Sequence, residues 1–219
     1  MHFQRSRFLP WISAACLGAA LLAGAAWAGT AEGVRAYDRG QFTLAAKELQ
    51  PAAQAGDPEA QFHLGLMHDF GKGVQLDHAK AAALYRKAAE QGHADAQYHL
   101  AVSYDDGEGV PQDSVAATAM FKRAAESGHD GYAVMGKLHY ASALWEGRGV
   151  ARNEAEARKW FEQAAAEGSE DAQTFLKTGY HTGSRDRTGK GVGVPTEDVQ
   201  GQALQKQPTA TTTAFSGWY

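Results

Sequence analysis

The sequence predicts an all-α solenoid of tandem two-helix repeats followed by a low-complexity tail. Three observations predict it. Glycines recur at 56, 92 and 128, spaced by 36, and Gly168 follows after 40. The pairs Gly71/Gly73, Gly107/Gly109 and Gly147/Gly149 repeat the same 36 and 40. Aligned on these glycines, Ala45, Ala81, Ala117 and Ala157 form one column, and Leu49, Tyr85, Phe121 and Phe161 form another. The pairs Ala52-Ala53, Ala88-Ala89, Ala124-Ala125 and Ala164-Ala165 form a third. Self-similarity at a period of roughly 20–50 residues marks a repeat architecture, in which a unit buries its apolar face only against its neighbours.

Composition sets the bounds. The chain has 219 residues, 44% apolar and 21% charged, with a net charge of −4. This is globular composition, long enough for a substantial core without staples. A single cysteine, Cys16, excludes an intramolecular disulfide framework and a multi-cysteine metal site. The mild acidity argues against a sequence-independent grip on nucleic acid, which needs clustered Lys and Arg.

Residues 1–28 read as a cleavable signal peptide. Arg5 and Arg7 form a basic start, an apolar run spans about 12–26, and Ala26-Trp27-Ala28 supplies the small residues before a cut after Ala28. The apolar run is shorter than the ~20 residues a membrane span prefers, so no stable insertion of the mature chain is expected. An uncleaved, membrane-tethered scaffold is the alternative. Loss of 1–28 takes Arg5, Arg7 and Cys16 but no carboxylate, and moves the net charge from −4 to −6. A thiol-free mature chain suits an oxidising compartment. The expected location is periplasmic or secreted.

The repeat region spans 29–180, with units at about 30–56, 57–92, 93–128 and 129–168 and a half-unit at 169–180. The first unit is looser, turns at Gly40, and carries Pro51, which predicts a kink near Gln50. In the next three, AQFHLGLMHDF, AQYHLAVSYDD and GKLHYASALWE give first helices, with apolar residues at 3–4 spacing. Each stops at the first glycine of a pair, where a left-handed residue ends a helix cheaply. After each GxGV turn, Asp77, Asp113 or Asn153 stands ready to cap the second helix. Asp57-Pro58 restarts the cycle with a cap and a first-turn proline. Four extra residues between Gly128 and Gly136 predict a longer or broken first helix in the fourth unit. Lys177 and Thr178 make 169–180 a solvent-facing end. The tail, 181–219, is rich in Gly, Thr and Gln, lacks sustained periodicity and reads as disordered. It ends in Phe215-Ser216-Gly217-Trp218-Tyr219, which reads as a docking motif, a segment that folds back onto the solenoid, or an end without a role.

The pattern alanine-glutamine-x-x-leucine-glycine, GxGVxxD, paired alanines with an aromatic, then AAExG is met closely at 60–92 and 96–128 and with defects at 136–168. It resembles the Sel-one-like repeat family, within the tetratricopeptide superfamily. The resemblance implies a right-handed α-solenoid with a concave groove. It also implies a non-catalytic adaptor, scaffold or regulator that binds a protein or peptide of the cell envelope. Exported members with a disulfide in every repeat, linked to β-lactam binding or hydrolysis, supply the alternative of a hydrolase or binder acting on cell-wall or β-lactam-like ligands. This chain has no cysteine beyond residue 28.

His63, His99 and His139 share one column, beside Phe62 and Tyr98. Zinc needs donors ~2.1 Å from one ion, whereas packed helices lie ~8–10 Å apart. The column therefore reads as a polar row. Phe62, His63, Tyr98, His99 and His139 are the candidate partner-binding residues, with core as the default reading of the two aromatics. Gly71, Gly73, Gly107, Gly109, Gly147 and Gly149 are turn positions. His93 and His129 read as helix starts, and Asp105-Asp106-Glu108 as a solvated turn without the ligand spacing of a calcium loop. HExxH, GxSxG and CxxC motifs are missing. The stretch from Gly183 to Gly191 lacks the hydroxyl residue and spacing of a phosphate loop. No cofactor and no metal are expected.

Overall fold

The computed structural model describes residues 29–128 and 132–179. The expected leader and its cut after Ala28, the tail at 181–219 and His129 lie outside them. The described residues form nine helices and no strand. They are α1 (29–38), α2 (Phe42–Gln54), α3 (Pro58–Phe70), α4 (His78–Glu90), α5 (Ala94–Asp106), α6 (Ser114–Glu126), α7 (Tyr132–Glu146), α8 (Glu154–Ala166) and α9 (Glu170–Thr178). From α2 onward each helix packs on the one before and the one after. Of the first helices, α5 and α7 also meet, while no two second helices make comparable contact. The first helices therefore form the inner layer of the solenoid.

Local chemistry sets the helix ends. Asp77 accepts from the Lys80 N–H at 2.9 Å, Asp113 from Val115 and Ala116 at 3.0 Å, and Asn153 from Glu156 at 3.1 Å. Ser169 and Asp57 do the same for α9 and α3. At the other end, Gly71 and Gly107 adopt φ of 64° and 73°, and Gly147 follows α7 at 74°. α2 runs through Pro51 without ending there. α7 has 15 residues where its counterparts α3 and α5 have 13, which absorbs part of the extra sequence.

The second glycine of each pair has another task. A Cβ on Gly73 would lie 2.5 Å from the Phe42 carbonyl carbon. On Gly109 it would lie 2.1 Å from the His78 carbonyl oxygen, and on Gly149 2.0 Å from that of Ser114. Phe42, His78 and Ser114 are the first residues of α2, α4 and α6. Each turn thus presses its backbone onto the start of the preceding unit's second helix.

The core follows the columns. Ala45, Ala81, Ala117 and Ala157 are fully buried, as are Tyr85, Phe121 and Phe161. The small residues let helices approach and the rings fill the space beside them. A lost cap costs about 1 kcal/mol, whereas truncating a buried phenylalanine costs about 3–5 kcal/mol. Caps place the boundaries; the ring column carries the stability.

A glutamine column ties the layers together. Gln61, Gln97 and Gln173 donate to the carbonyls of Ala53, Ala89 and Ala165 in the preceding second helix, at 3.1, 3.3 and 3.2 Å. Gln91 at the far end of α4 donates to Gln61 at 3.0 Å. In the α7–α8 unit the column residue is Lys137, 7% exposed, and Glu167 stands where Gln91 does. Their ammonium and carboxylate pair at 2.6 Å. Because the pair replaces an amide contact in the same place, Lys137→Gln should change stability by less than ~1 kcal/mol. Glu167→Ala leaves the ammonium without its acceptor and should cost about 1–2 kcal/mol, half-exposure of Glu167 moderating the effect. Urea unfolding followed by circular dichroism checks both.

Candidate functional site

The inner helices share a ladder of rings. Tyr37 on α1 meets His63 at 5.3 Å between centroids, and His63 meets Phe62 at 5.3 Å. Phe62 meets His99 at 5.5 Å, His99 meets Tyr98 at 5.6 Å, and Tyr98 meets His139 at 5.7 Å. The ladder crosses α1, α3, α5 and α7. Helical spacing builds it, since one column supplies a histidine per unit and the column before it supplies Phe62 and Tyr98. Successive histidines are separated by an intervening aromatic ring.

His99 and His139 also lean on the preceding second helix. His99 lies 5.2 Å from Tyr85 at 30°, and His139 stacks on Phe121 at 4.7 Å and 14°. Tyr132, at the start of α7, sets its edge on His99 at 4.8 Å and stacks with Tyr98 at 5.0 Å. The structure thus brings the five candidate residues together, but Phe62 and Tyr98 are 5% and 6% exposed. Helices on both sides enclose them, so they hold the ladder and leave little ring area for a partner. His99 packs against both of them. Burial lowers its pKa to about 4, against a weaker opposite influence from Asp69. Its Nε2 is buried without a hydrogen-bond partner.

Glu59 clasps two histidines across a unit boundary. One oxygen faces His63 Nε2 at 3.1 Å and the other His93 Nε2 at 3.0 Å. His93 Nδ1 accepts from the Ala96 N–H at 3.3 Å, capping α5. That role puts the proton of neutral His93 on Nε2, which donates to Glu59. Hydrogen bonds from His63, then His93, hold the Glu59 carboxyl well below the usual range. A metal ion would need the Nε2 lone pair and a proton on Nδ1, facing the Ala96 N–H. Among the described residues no three His, Cys, Asp or Glu side chains are arranged for a metal.

Asp69 makes a second polar node. His78 Nδ1 lies 2.8 Å from one oxygen, and the Tyr85 hydroxyl donates to the other at 3.1 Å. The hydrogen bond to Asp69 raises the His78 pKa, and burial raises that of Tyr85. The turn read as solvated is corrected at Asp105. Its oxygens accept from Arg148 of the next pair of turns at 2.6 and 2.5 Å, and its side chain is 19% exposed. The neighbouring unit brings the guanidinium there, which no local pattern shows.

Sequence reasoning missed Glu59, His93, Tyr37, Tyr132, Asp69 and His78. The four-residue step from Glu59 to His63 was a usable signal. The others meet across units or lie outside the clean repeat.

His99 gives a pH signature. Its folded pKa of about 4 lies below the unfolded ~6.5, so the unfolded chain binds the extra proton and stability is lost as pH drops through that window. Wild type should lose about 2 kcal/mol by pH ~5 relative to His99→Phe. Glu59 contributes only below about 4.5, and His78 acts with the opposite sign in both proteins. Urea midpoints across pH check it; parallel curves contradict it.

The Sel1 repeat family pattern matches residues 58–93, 94–129 and 135–169. The chain is similar to the crystal structure of a protective antigen from uropathogenic Escherichia coli with an SLR fold. Identity is 32% and the TM-score 0.65, over 75% of this chain and 35% of that one. It is similar to a Sel1 repeat protein from Oxalobacter formigenes, with 30% identity and a TM-score of 0.62, over 68% of this chain and 62% of that one. Cysteine-rich protein B of Helicobacter pylori shows 28% identity and a TM-score of 0.46, over 59% of this chain and 96% of that one. The chain thus spans about a third of the antigen and about three fifths of the Oxalobacter protein. No curated protein matches it.

Proposed function

The chain is a Sel1-like repeat protein, and on that premise we propose that it is an exported, non-catalytic adaptor or regulator that binds an envelope protein through its inner face. Sel1 repeats are typical protein–protein interaction modules. The observation that carries the reading is the inner ladder, with the half-exposed Glu59 clasp at its edge. The rings tie several units into one layer, and the half-exposed Glu59 at its edge is open to an extended partner. Export rests on the leader-like residues 1–28 and on the absence of cysteine after them. No described helix is long and apolar enough to cross a membrane.

Site-specific photo-crosslinking in a bacterial host tests this reading. The full chain carries the crosslinker at position 59, on the inner layer, or at position 87, on exposed α4. The chain should appear in the periplasmic fraction, cut after Ala28. One envelope protein should be captured from position 59 at least ~10-fold more than from position 87. Equal capture from both positions removes the inner-face assignment. Retention in the cytoplasm removes the exported role.

A further inference from the structure

We propose that the chain's own segment 191–198 docks as a further repeat turn on the first residues of α8. This is an intramolecular contact between tail and solenoid, independent of what binds the inner layer.

One seat in the series is bare. The turns after α3, α5 and α7 press Gly73, Gly109 and Gly149 onto Phe42, His78 and Ser114, the first residues of α2, α4 and α6. Beneath these turns the three residues are half-buried. Glu154 is the first residue of α8. Among the described residues no turn covers it, and its side chain is 52% exposed. One helical turn further on, the contrast repeats. Ala82 and Thr118 are buried, and the Thr118 hydroxyl donates to the Arg148 carbonyl of the turn above it at 2.8 Å. Their counterpart on α8, Arg158, is exposed. Glu154 pairs with Arg152 at 2.5 Å, but that is a contact of side chains, whereas the turns seat on backbone.

Residues 191–198 have the composition of the missing turn. Gly191, Gly193, Val194 and Pro195 repeat Gly107, Gly109, Val110 and Pro111 in order and spacing. Glu197 stands where Asp113 does, with Asp198 behind it. The valine of the motif has a packing role, since Val74 and Val150 lie against the core beneath their turns. Val194 supplies the same side chain. The residue between the glycines is Lys72, Glu108 or Arg148 in the described turns, so Val192 meets no strict requirement there. Eleven residues separate Gly191 from Gly179, which ends α9. Extended, they reach up to about 36 Å. α9 has 9 residues against 13 in α3 and α5, a deficit of only about 6 Å of helix. The entropic cost of closing the loop rises slowly with its length. A tether this short holds the segment at an effective concentration on the order of millimolar, which favours it over the same segment of a second copy. Beyond the turn the columns stop. Gly201 and Gln205 follow Glu197 by four and eight residues, where Ala117 and Phe121 follow Asp113. Only the turn is therefore assigned, with no second helix behind it.

Disulfide trapping in the full chain is the test. Cys16→Ser removes the native thiol, and Arg158→Cys places one at the exposed seat. The second cysteine is Asp186→Cys, Val192→Cys or Lys206→Cys, and circular dichroism checks the fold of each variant. Position 192 corresponds to Arg148, whose carbonyl meets the residue equivalent to 158. Under mild oxidation the 158–192 bond should form about tenfold or more faster than 158–186 or 158–206. Gly193→Ala should slow it about tenfold, because a methyl there strains a left-handed turn and meets the backbone of α8. Rates that vary smoothly from 186 to 206 overturn the docking, as does a 158–192 rate indifferent to Gly193→Ala. A 158–192 bond that joins two chains, in a fraction rising with protein concentration, overturns the intramolecular assignment and puts the turn of a second copy on the seat.

Discussion

The contact on which the other features depend is between backbones. Gly73, Gly109 and Gly149 each lie against the first residue of the preceding unit's second helix, where no side chain fits. The three contacts are equivalent, so they set one spacing and one orientation for successive units. With that spacing, the glutamine of each inner helix reaches the carbonyl of an outer one. His99 and His139 come to rest on Tyr85 and Phe121. Hydrophobic burial drives the stacking, but it is non-directional. The glycine contact gives it register.

The ladder shows what that register produces. Rings at 5–6 Å alternate with imidazoles through four inner helices. Burial keeps His99 uncharged, and His93 caps α5 at the Ala96 N–H. Hydrogen bonds from His63 and His93 favour the ionised form of Glu59. The result is an inner layer that is aromatic, hydrogen-bonding and negative. The outer layer, with its excess of Lys and Arg, has none of these features together.

The fold was legible because its signals are local and repeat. A glycine that ends a helix, an Asp that starts the next and an alanine that admits a neighbour act within a few residues of chain, and three copies put them in register. The candidate site was legible only in its columns. His63, His99 and His139 could be aligned, but whether Phe62 faces solvent or core depends on the helices packed around it. The Glu59–His93 clasp joins residues 34 apart and exists only once two units are stacked. Asp105 meets Arg148 across 43 residues, so a carboxylate in a glycine-rich turn looked solvated when it is paired. Tyr132 falls in the segment where the repeat length changes, and its stacking on Tyr98 follows from that irregularity.

The measurement that tests the central claim compares two alanines by urea unfolding of the full chain. Gly40 and Gly109 both have φ of +71°, but a Cβ on Gly40 meets nothing within 4 Å. Gly40→Ala therefore reports the backbone strain alone, about 1–2 kcal/mol. Gly109→Ala should cost that and at least ~2 kcal/mol more, since the His78 carbonyl cannot move without displacing α4. Equal losses at the two positions would show that the stacking does not depend on this contact.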